Sequence, residues 1–460
     1  MSSFGSLASL GNALTAQRRA LEVLSQNVAN VNTEGYSRQR ADLVALGASP
    51  VPATWAVYDG SGSGVAVSDV IRMRDQLLEA RGQTEHARSA YATQNQTTMD
   101  RVEQLLAEPT DQGLGNQLGE FWSAWSDLAN RPDDDAARSQ LLQRAGIVAD
   151  TVRDRHDAVV GQWADQRSQL TSLTGEINTT ASSIAELNQT IMQATNGGLP
   201  SGELADQRDL LVMNLVEMTG GTTRAGDRGA VDVYLGGTAL VRGDTASSLS
   251  VTGATRLADQ AATPVAVNWP DGRTVELSGG RIGALGESLS TTLPGIATGL
   301  DGVASTLITQ VNALHAAAFD AAGNPGTAFF TGTTADTIAV GIINPSLVAA
   351  SSSAGGNRDG SAAAAIAALR SSQTGPDEVY RDLVVEIGTA SQTTTRRADM
   401  QTAVMTAIDA ARESASGVNL DEEMTNMIAT QRAYEGAARV MTTIDSTLDT
   451  LINRTGLVGR

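Results

Sequence analysis

Two apolar stripes of the same period, one at each end of the chain, most constrain its fold. Near the start, Leu7, Leu10, Leu14, Gln17, Leu21, Leu24, Val28 and Val31 are spaced 3-4-3-4-3-4-3. All but Gln17 are aliphatic. Such a stripe needs a partner helix to bury it, and an isolated helix of this length is marginal in water. An ordinary helix lying on its own domain's core is the alternative. From Leu420 the other stripe runs through Leu420, Met424, Met427, Gln431, Tyr434, Ala438, Met441, Asp445, Leu448 and Ile452. A second line beside it carries Ile428, Ala437, Val440, Ile444 and Leu451, so the apolar face is wide. Neither end can bury its stripe alone. The economical solution is that they bury each other. The expected fold is mainly α with a β-rich inserted domain. It is an elongated multidomain hairpin, with the N- and C-terminal helices paired as a coiled coil and a long-helix bundle in the middle.

The first stripe stops in "NVANVNTEGYSRQR", residues 27–40. Val31 is its last apolar position. Asn32 to Gly35 reads as a helix end, with Gly35 free to take the left-handed backbone of a C-cap. Asn27, Asn30, Asn32, Gly35 and Tyr36 mark the joint between a terminal helix that awaits a partner and the domains that follow. At the other end "SGVNLDEE" introduces the last helix. Asn419 is a good N-cap, and Glu422 stands where a capping-box acid belongs. Asp421 to Glu423 suit the positive end of the helix dipole, so the acid trio reads as helix-start chemistry rather than a metal site.

Between the ends, residues 41 to 70 lose the helical period and read as Gly/Pro/Ser-rich loop with short strands. Helical pattern resumes near Ile71 and runs to about Leu106. Phe121, Trp122 and Trp125 form the densest aromatic cluster. With Trp122 and Trp125 at i and i+3 on one face, the cluster reads as a core face, with a binding platform as the alternative. Asn130-Arg131-Pro132 breaks the helix, and Asp133 to Asp135 start the next. That one spans about 135 to 195, with at most a soft break at "SLTGE"; unbroken, it would be about 90 Å long. Gly197-Gly198 closes it and another begins near Gly202. The period then changes to two. "AVDVYLGG" alternates, and "PVAVNWPDGRTVEL" reads as a hairpin with Pro270-Asp271-Gly272 as its turn. Helix returns over 286–319, 376–414 and 418–455. The domain division that follows is 1–60 with 415–460 as a terminal coiled-coil unit, and 61–218 with 286–320 and 360–414 as a helical bundle. Residues 219–285 with 321–359 make the β-rich outer insert.

Composition narrows the function. Of 460 residues 41% are apolar but only 3% aromatic, which suits thin helical bundles built from aliphatic residues. The net charge of −19 repels phosphate backbones, so neither nucleic acid nor an anionic membrane is an expected partner. All basic charge is arginine. With no cysteine, disulfides, thiolate metal sites and thiol nucleophiles are excluded. The N-terminus does not read as a cleavable secretory signal, and no run approaches the roughly 18 apolar residues of a membrane span. The expected location is therefore the cytosol, unless export reads no cleavable signal. His86, His156 and His315 each stand alone in helical pattern, and their substitution is expected to change nothing. No catalytic motif, cofactor loop or metal spacing is present. Asp206 and Asp209 flank Arg208 as a surface ion pair or a buried polar clasp.

The end signatures resemble those of the flagellar axial family of rod, hook and hook-associated proteins. "NVANVNTEGYSRQR" carries one end and "SGVNLDEEMTNMIATQRAYEGAARVMTTIDSTLDTLI" the other. Three internal pieces are similar to the hook-associated protein 1 branch. They are "ELADQRDLLVMNLVEMTGG" with "AVDVYLGG", "GGRIGALGESL" with "LPGIATGLDGVASTLITQVNALHAAAFDAAGNPGTAFF", and "DLVVEIGTASQTTTRRADMQTAV". The segment between "TAFFTG" and "AIAALR" is short, so an outermost β domain carried by some members is expected to be missing.

The resemblance implies a non-enzymatic subunit of the hook–filament junction, exported by the flagellar type III apparatus and assembled as a tubular layer with its own copies. Implied neighbours are the flagellar hook protein and hook-associated protein 3, and a chaperone is implied on the C-terminal helix before export. Implied assembly residues are Leu7, Leu10, Leu14, Leu21, Leu24, Val28 and Val31 at one end. At the other they are Leu420, Met424, Met427, Tyr434, Met441, Ile444, Leu448 and Ile452. No cofactor is implied. The alternatives are hook-associated protein 3 itself, or an exported adhesin or effector acting through the β-rich insert.

Overall fold

The computed structural model describes residues 3–47, 62–106, 108–355 and 358–454. Its first helix, α1 (Ser3–Ala29), leads into an antiparallel hairpin of β1 (Gln39–Leu46) and β2 (Gly64–Arg72). The Gly/Pro-rich stretch expected between the strands lies largely outside the described residues. Gly35 takes φ +79°, as its place after a helix predicts. The helix expected from Ile71 starts later. Val65, Val67, Val70 and Ile71 pair across to β1, and only then does Asp75 cap the helix, accepting from the N–H groups of Leu77 (2.8 Å) and Leu78 (3.1 Å).

That helix is α2 (Gln76–Leu106), followed by α3 (Leu114–Asn130) and α4 (Asp135–Asn196). The Arg131-Pro132 break falls where the sequence puts it, and Asp134 caps α4 through the Ala136 N–H. α4 is one unbroken helix of 62 residues, so "SLTGE" does not interrupt it. At 1.5 Å per residue it is about 90 Å long. Gly197 and Gly198 end it, and α5 (Gly202–Thr219) turns back along it.

Small sheets are laid against this shaft. β3 (Thr222–Ala225), β4 (Val231–Leu235), β5 (Thr238–Arg242) and β6 (Thr245–Ala246) form one antiparallel sheet; β7 (Ser250–Thr252) and β8 (Ala266–Asn268) form another. The Pro270-Asp271-Gly272 turn is present, with Gly272 at φ +84° and the Trp269 N–H bonded to Arg273 O at 2.9 Å. Side chains of α4 fasten the sheets at successive levels. Arg167 bonds Ala254 O, Asn178 bonds Leu249 O, and Asn188 bonds Val231 O and Gly243 O. Helix α6 (Gly280–Glu287) continues through a π turn into α7 (Leu293–Ala316). A short pair, β9 (Phe330–Thr331) and β10 (Ala339–Val340), belongs to neither earlier sheet and packs near the start of α4, where Arg138 reaches Val348 O. Residues 321–359 and 219–285 thus lie at different levels of the shaft.

After α8 (Ser361–Ala367), α9 (Pro376–Ser416) returns along α2, and α10 (Leu420–Asp449) runs back along α1 to a final π turn. The main core is continuous through the helices and sheets. Phe121, Trp122 and Trp125 are buried in it; Phe121 lies 4.8 Å from Trp122 and 6.3 Å from Trp125 between ring centroids, and Phe121 and Trp125 pack on Phe329 and Phe330 at 5.2 to 6.2 Å. The Trp122 indole donates to Asp377 at 2.6 Å and the Trp163 indole to Leu289 O at 2.9 Å, whereas the buried Trp125 indole N–H has no hydrogen-bond partner among the described residues.

Candidate functional site

The terminal helices are tied to the helical body through a joint built from polar side chains. Asn27, in the last turn of α1, is 0% exposed. Its Nδ2 donates to Gln39 O and to Glu423 Oε2, both at 2.8 Å. Its Oδ1 accepts from the Tyr36 hydroxyl and the Gln39 N–H, both at 2.9 Å. One amide therefore ties α1 to β1, to its own trailing loop and to α10. Glu423 is equally buried, and the Arg38 guanidinium closes on its other oxygen at 2.7 Å. A second guanidinium nitrogen of Arg38 reaches Glu422 at 3.0 Å, while the Arg38 N–H donates to Ser416 O at 3.0 Å. Asn419 caps α10 as its sequence position predicts, accepting from Asp421 and Glu422 N–H groups. The Glu422 carboxylate, expected to turn back on the cap, is taken instead by Arg38, because the loop after α1 brings that cation across the helix start.

The same loop is held from below. Ser37 N–H donates to Asp206 at 3.2 Å, and the Arg74 guanidinium donates to Ser37 Oγ at 2.8 Å. Asp206 and Asp209 form the buried clasp rather than the surface pair. Arg72 bonds both at 2.8 Å, Arg74 bonds Asp209, and Arg208 lies against Asp209 at 2.8 Å. Burial alone would raise the Asp209 carboxyl, but Arg208, Arg74 and Arg72 hold it below the usual carboxylate range. Tyr36 is pushed up to about 12 by desolvation and then by Asp206, Glu203 and Glu423, so its hydroxyl stays a donor. Gly35 lies over α5: a Cβ there would stand 3.5 Å from Leu210. Asn30 bonds Gln26 O and Thr33 within the turn, and Asn32 is exposed. Each carboxylate at the centre of the joint is engaged by an arginine, which makes it a fastener rather than a reactive centre.

The apolar stripes above the joint are covered only in part. Leu7, Leu10, Leu14, Leu21, Leu24 and Val28 are half-buried on α1; Val31 is half-buried too but falls in the turn after the helix ends at Ala29. The fully buried line of α1 is instead Ala16, Val23 and Asn27. It is displaced from the stripe because α1 packs on the β1–β2 hairpin as well as on α10. On α10, Met427, Met441, Ile444 and Leu448 are half-buried. Leu420, Met424 and Tyr434 are exposed, and Ile452 beyond them is 70% exposed.

The histidines do not stand alone. His86 of α2 sits between Glu217 of α5 (2.6 Å from Nδ1) and Asp409 of α9 (2.9 Å from Nε2). Two ring nitrogens facing carboxylates require the doubly protonated imidazolium. Arg412 extends the cluster to Asp409 and Glu79. His315 is fully buried between Thr327 O and the Ala349 N–H. His156 lies 3.9 Å from Asp157. Among the described residues, no cluster of His, Asp and Glu is arranged to hold a metal, and no helix is long and apolar enough to cross a membrane.

Missed by sequence reasoning were the buried role of Glu423 and the arginines 38, 72 and 74. Their only signal was charge near a predicted helix boundary, which is also ordinary surface chemistry.

Comparison with known proteins is consistent along the whole length. Residues 99–330 match the family model of the flagellar hook-associated protein FlgK helical domain. Residues 7–36 match that of the flagella basal body rod protein, and 410–454 that of the flagellar basal body rod FlgEFG protein C-terminal region. The chain is 29% identical to flagellar hook-associated protein 1 of Bacillus subtilis over the full length of both. It is 28% identical to the protein of that name from Salmonella typhimurium, an alignment covering 69% of this chain and 57% of the relative. The chain thus spans the Bacillus relative entirely but little more than half of the Salmonella one. Its fold is similar to the flagellar hook junction protein FlgK from Burkholderia pseudomallei, with a TM-score of 0.66 at 16% identity, over 73% of this chain and 100% of that one.

Proposed function

The chain belongs to the family of the flagellar hook-associated protein FlgK and is a flagellar structural protein of the hook–filament junction; we propose that its terminal helices build it into that junction. The observation that carries this reading is a contrast within one molecule. α4 fully buries most of its large apolar side chains inside the chain, Ile147 being an exposed exception, whereas α1 and α10, after packing on each other, leave most of theirs half-covered or exposed. A helix pair with apolar surface left over is stable once neighbours cover it. The stripe residues Leu7 to Val28 and Leu420 to Ile452 are then assembly contacts, with the pair acting as a coiled coil. The joint around Asn27 and Tyr36 carries the load between that inner pair and the outer body.

Within this reading the protein has no enzymatic role. It packs with copies of itself, with the hook protein below and hook-associated protein 3 above. It leaves the cell through the flagellar type III apparatus, with a chaperone covering the C-terminal helix beforehand. The division into a terminal unit, a helical bundle and β-bearing outer segments follows the same logic.

Deletion of residues 420–460 tests the reading. The truncated protein should keep a folded helical body but fail to support filament growth on hooks. Filaments of normal number would reject the role given to α10.

A further inference from the structure

The joint places a carboxylate, an amide and a guanidinium where an aliphatic contact would hold α1 to α10 with less desolvation. The stripes above it explain why. Leu7, Leu10, Leu14, Leu21 and Leu24 are chemically interchangeable, and apolar burial has no directional preference. Burial alone therefore discriminates poorly between alignments one heptad apart, or between α10 of the same chain and α10 of another copy. Among the described residues of α10, Glu423 is the one that is buried. In the observed alignment Asn27 Nδ2 donates to one of its oxygens at 2.8 Å, and the Arg38 guanidinium makes an ion pair with the other at 2.7 Å. Slid seven residues along α1, Glu423 would lie beside Ala20, whose methyl group offers no hydrogen-bond donor. Asn27 would lose a partner in the same move.

We infer that Asn27, Arg38 and Glu423 form a register pin, which confines the terminal helices to the single antiparallel alignment that brings all three together. The inference rests on the proposed pairing of α1 with α10. It assigns the three residues a positioning role that the apolar stripes cannot perform. A single buried polar residue that sets register at some expense of stability is a known device of paired helices.

The chain contains no cysteine, so introduced pairs report alignment without background. Counting three residues back along α1 and four forward along α10 from the 27–423 contact sets Leu24 beside Met427. Full-length protein carrying L24C with M427C should link through a short bis-maleimide. Protein carrying L24C with Y434C, one heptad further, should not, by a preference on the order of tenfold or more. In the N27L/E423L background, which removes the side-chain carboxylate and amide of the seam together and frees Tyr36 and Gln39 equally in both alignments, the two pairs should link comparably, and off-register contacts between copies should appear by sedimentation. The conservative E423Q, which can still accept from Asn27, should restore most of the preference. A doubly apolar variant that keeps the wild-type preference overturns the pin. Failure of L24C/M427C to link in the otherwise wild-type chain would instead overturn the helix pairing on which it rests.

Discussion

Asn27 and Glu423 stand 396 residues apart in the chain and share a 2.8 Å hydrogen bond in a site with no solvent exposure. Around that bond the start of the chain, its end and the helical body are fastened together. Substituting Asn27 by Ala removes the acceptor for Tyr36 and Gln39 and leaves Glu423 with Arg38 alone. Unsatisfied buried groups of this kind cost about 1–3 kcal/mol each. The loss should be local: amide protection in α1, β1 and the first turns of α10 should fall sharply, while exchange in α3 and α4 stays at the global limit. Uniform loss of protection would contradict this.

Gly35 makes a backbone prediction. At φ +79°, with Leu210 3.5 Å from where a Cβ would stand, Gly35→Val should cost about 2 kcal/mol. Urea titration followed by a probe on α1 is the measurement. Gly198, also at positive φ but with open space around it, is the control for strain without contact.

His86 ties stability to pH. Hydrogen bonding to Glu217 raises its folded-state value, which outweighs desolvation, and the bond and charge of Asp409 add to the rise. The groups facing it from the packed helices are Glu217 on α5 and Asp409 with Arg412 on α9; Glu79 on α2 completes the cluster. A histidine with a raised folded value contributes fully below its unfolded value of about 6.5, and the contribution fades as pH climbs through the folded value. Melting temperature should therefore fall from pH 6 to pH 9 in the wild type. In His86→Gln the slope should be shallower, and the variants should differ least at the alkaline end.

His315 works in the opposite sense. Burial lowers its value, and its Nε2 accepts from the Ala349 N–H, which needs the neutral ring. Its contribution is complete above about pH 6.5 and lost on acidification through the depressed folded value. Substitution by Gln should reduce stability at pH 7 and flatten the decline between pH 6 and 4, read by thermal unfolding at each pH.

Trp122→Phe separates packing from hydrogen bonding in the core. The ring face against Phe121 is retained, while the 2.6 Å bond to Asp377 is lost. Burial already raises the Asp377 carboxyl, so an unpartnered group there should cost about 1–3 kcal/mol, visible as a lower urea midpoint with unchanged slope.

What sequence by itself determined were features whose cause is local. The period of α4 and its Asp134 cap, the Pro132 break, the left-handed Gly35, the 270–272 turn and the Asn419 cap each depend on a few neighbouring residues, and all appear where those residues put them. The tryptophan face was legible too, because i and i+3 on one helix side needs no knowledge of the partner. Tertiary structure alone decided which side of α1 is fully covered, since the β1–β2 hairpin shifts that line from the leucine stripe to Ala16, Val23 and Asn27. It also turned Arg38 and two acids read as helix-start chemistry, Glu422 and Glu423, into the joint, and gave His86 its two carboxylates. These are contacts between residues hundreds of positions apart. A charged side chain at a helix end looks the same in sequence whether it faces water or a partner, and only the packing of distant segments removes the water.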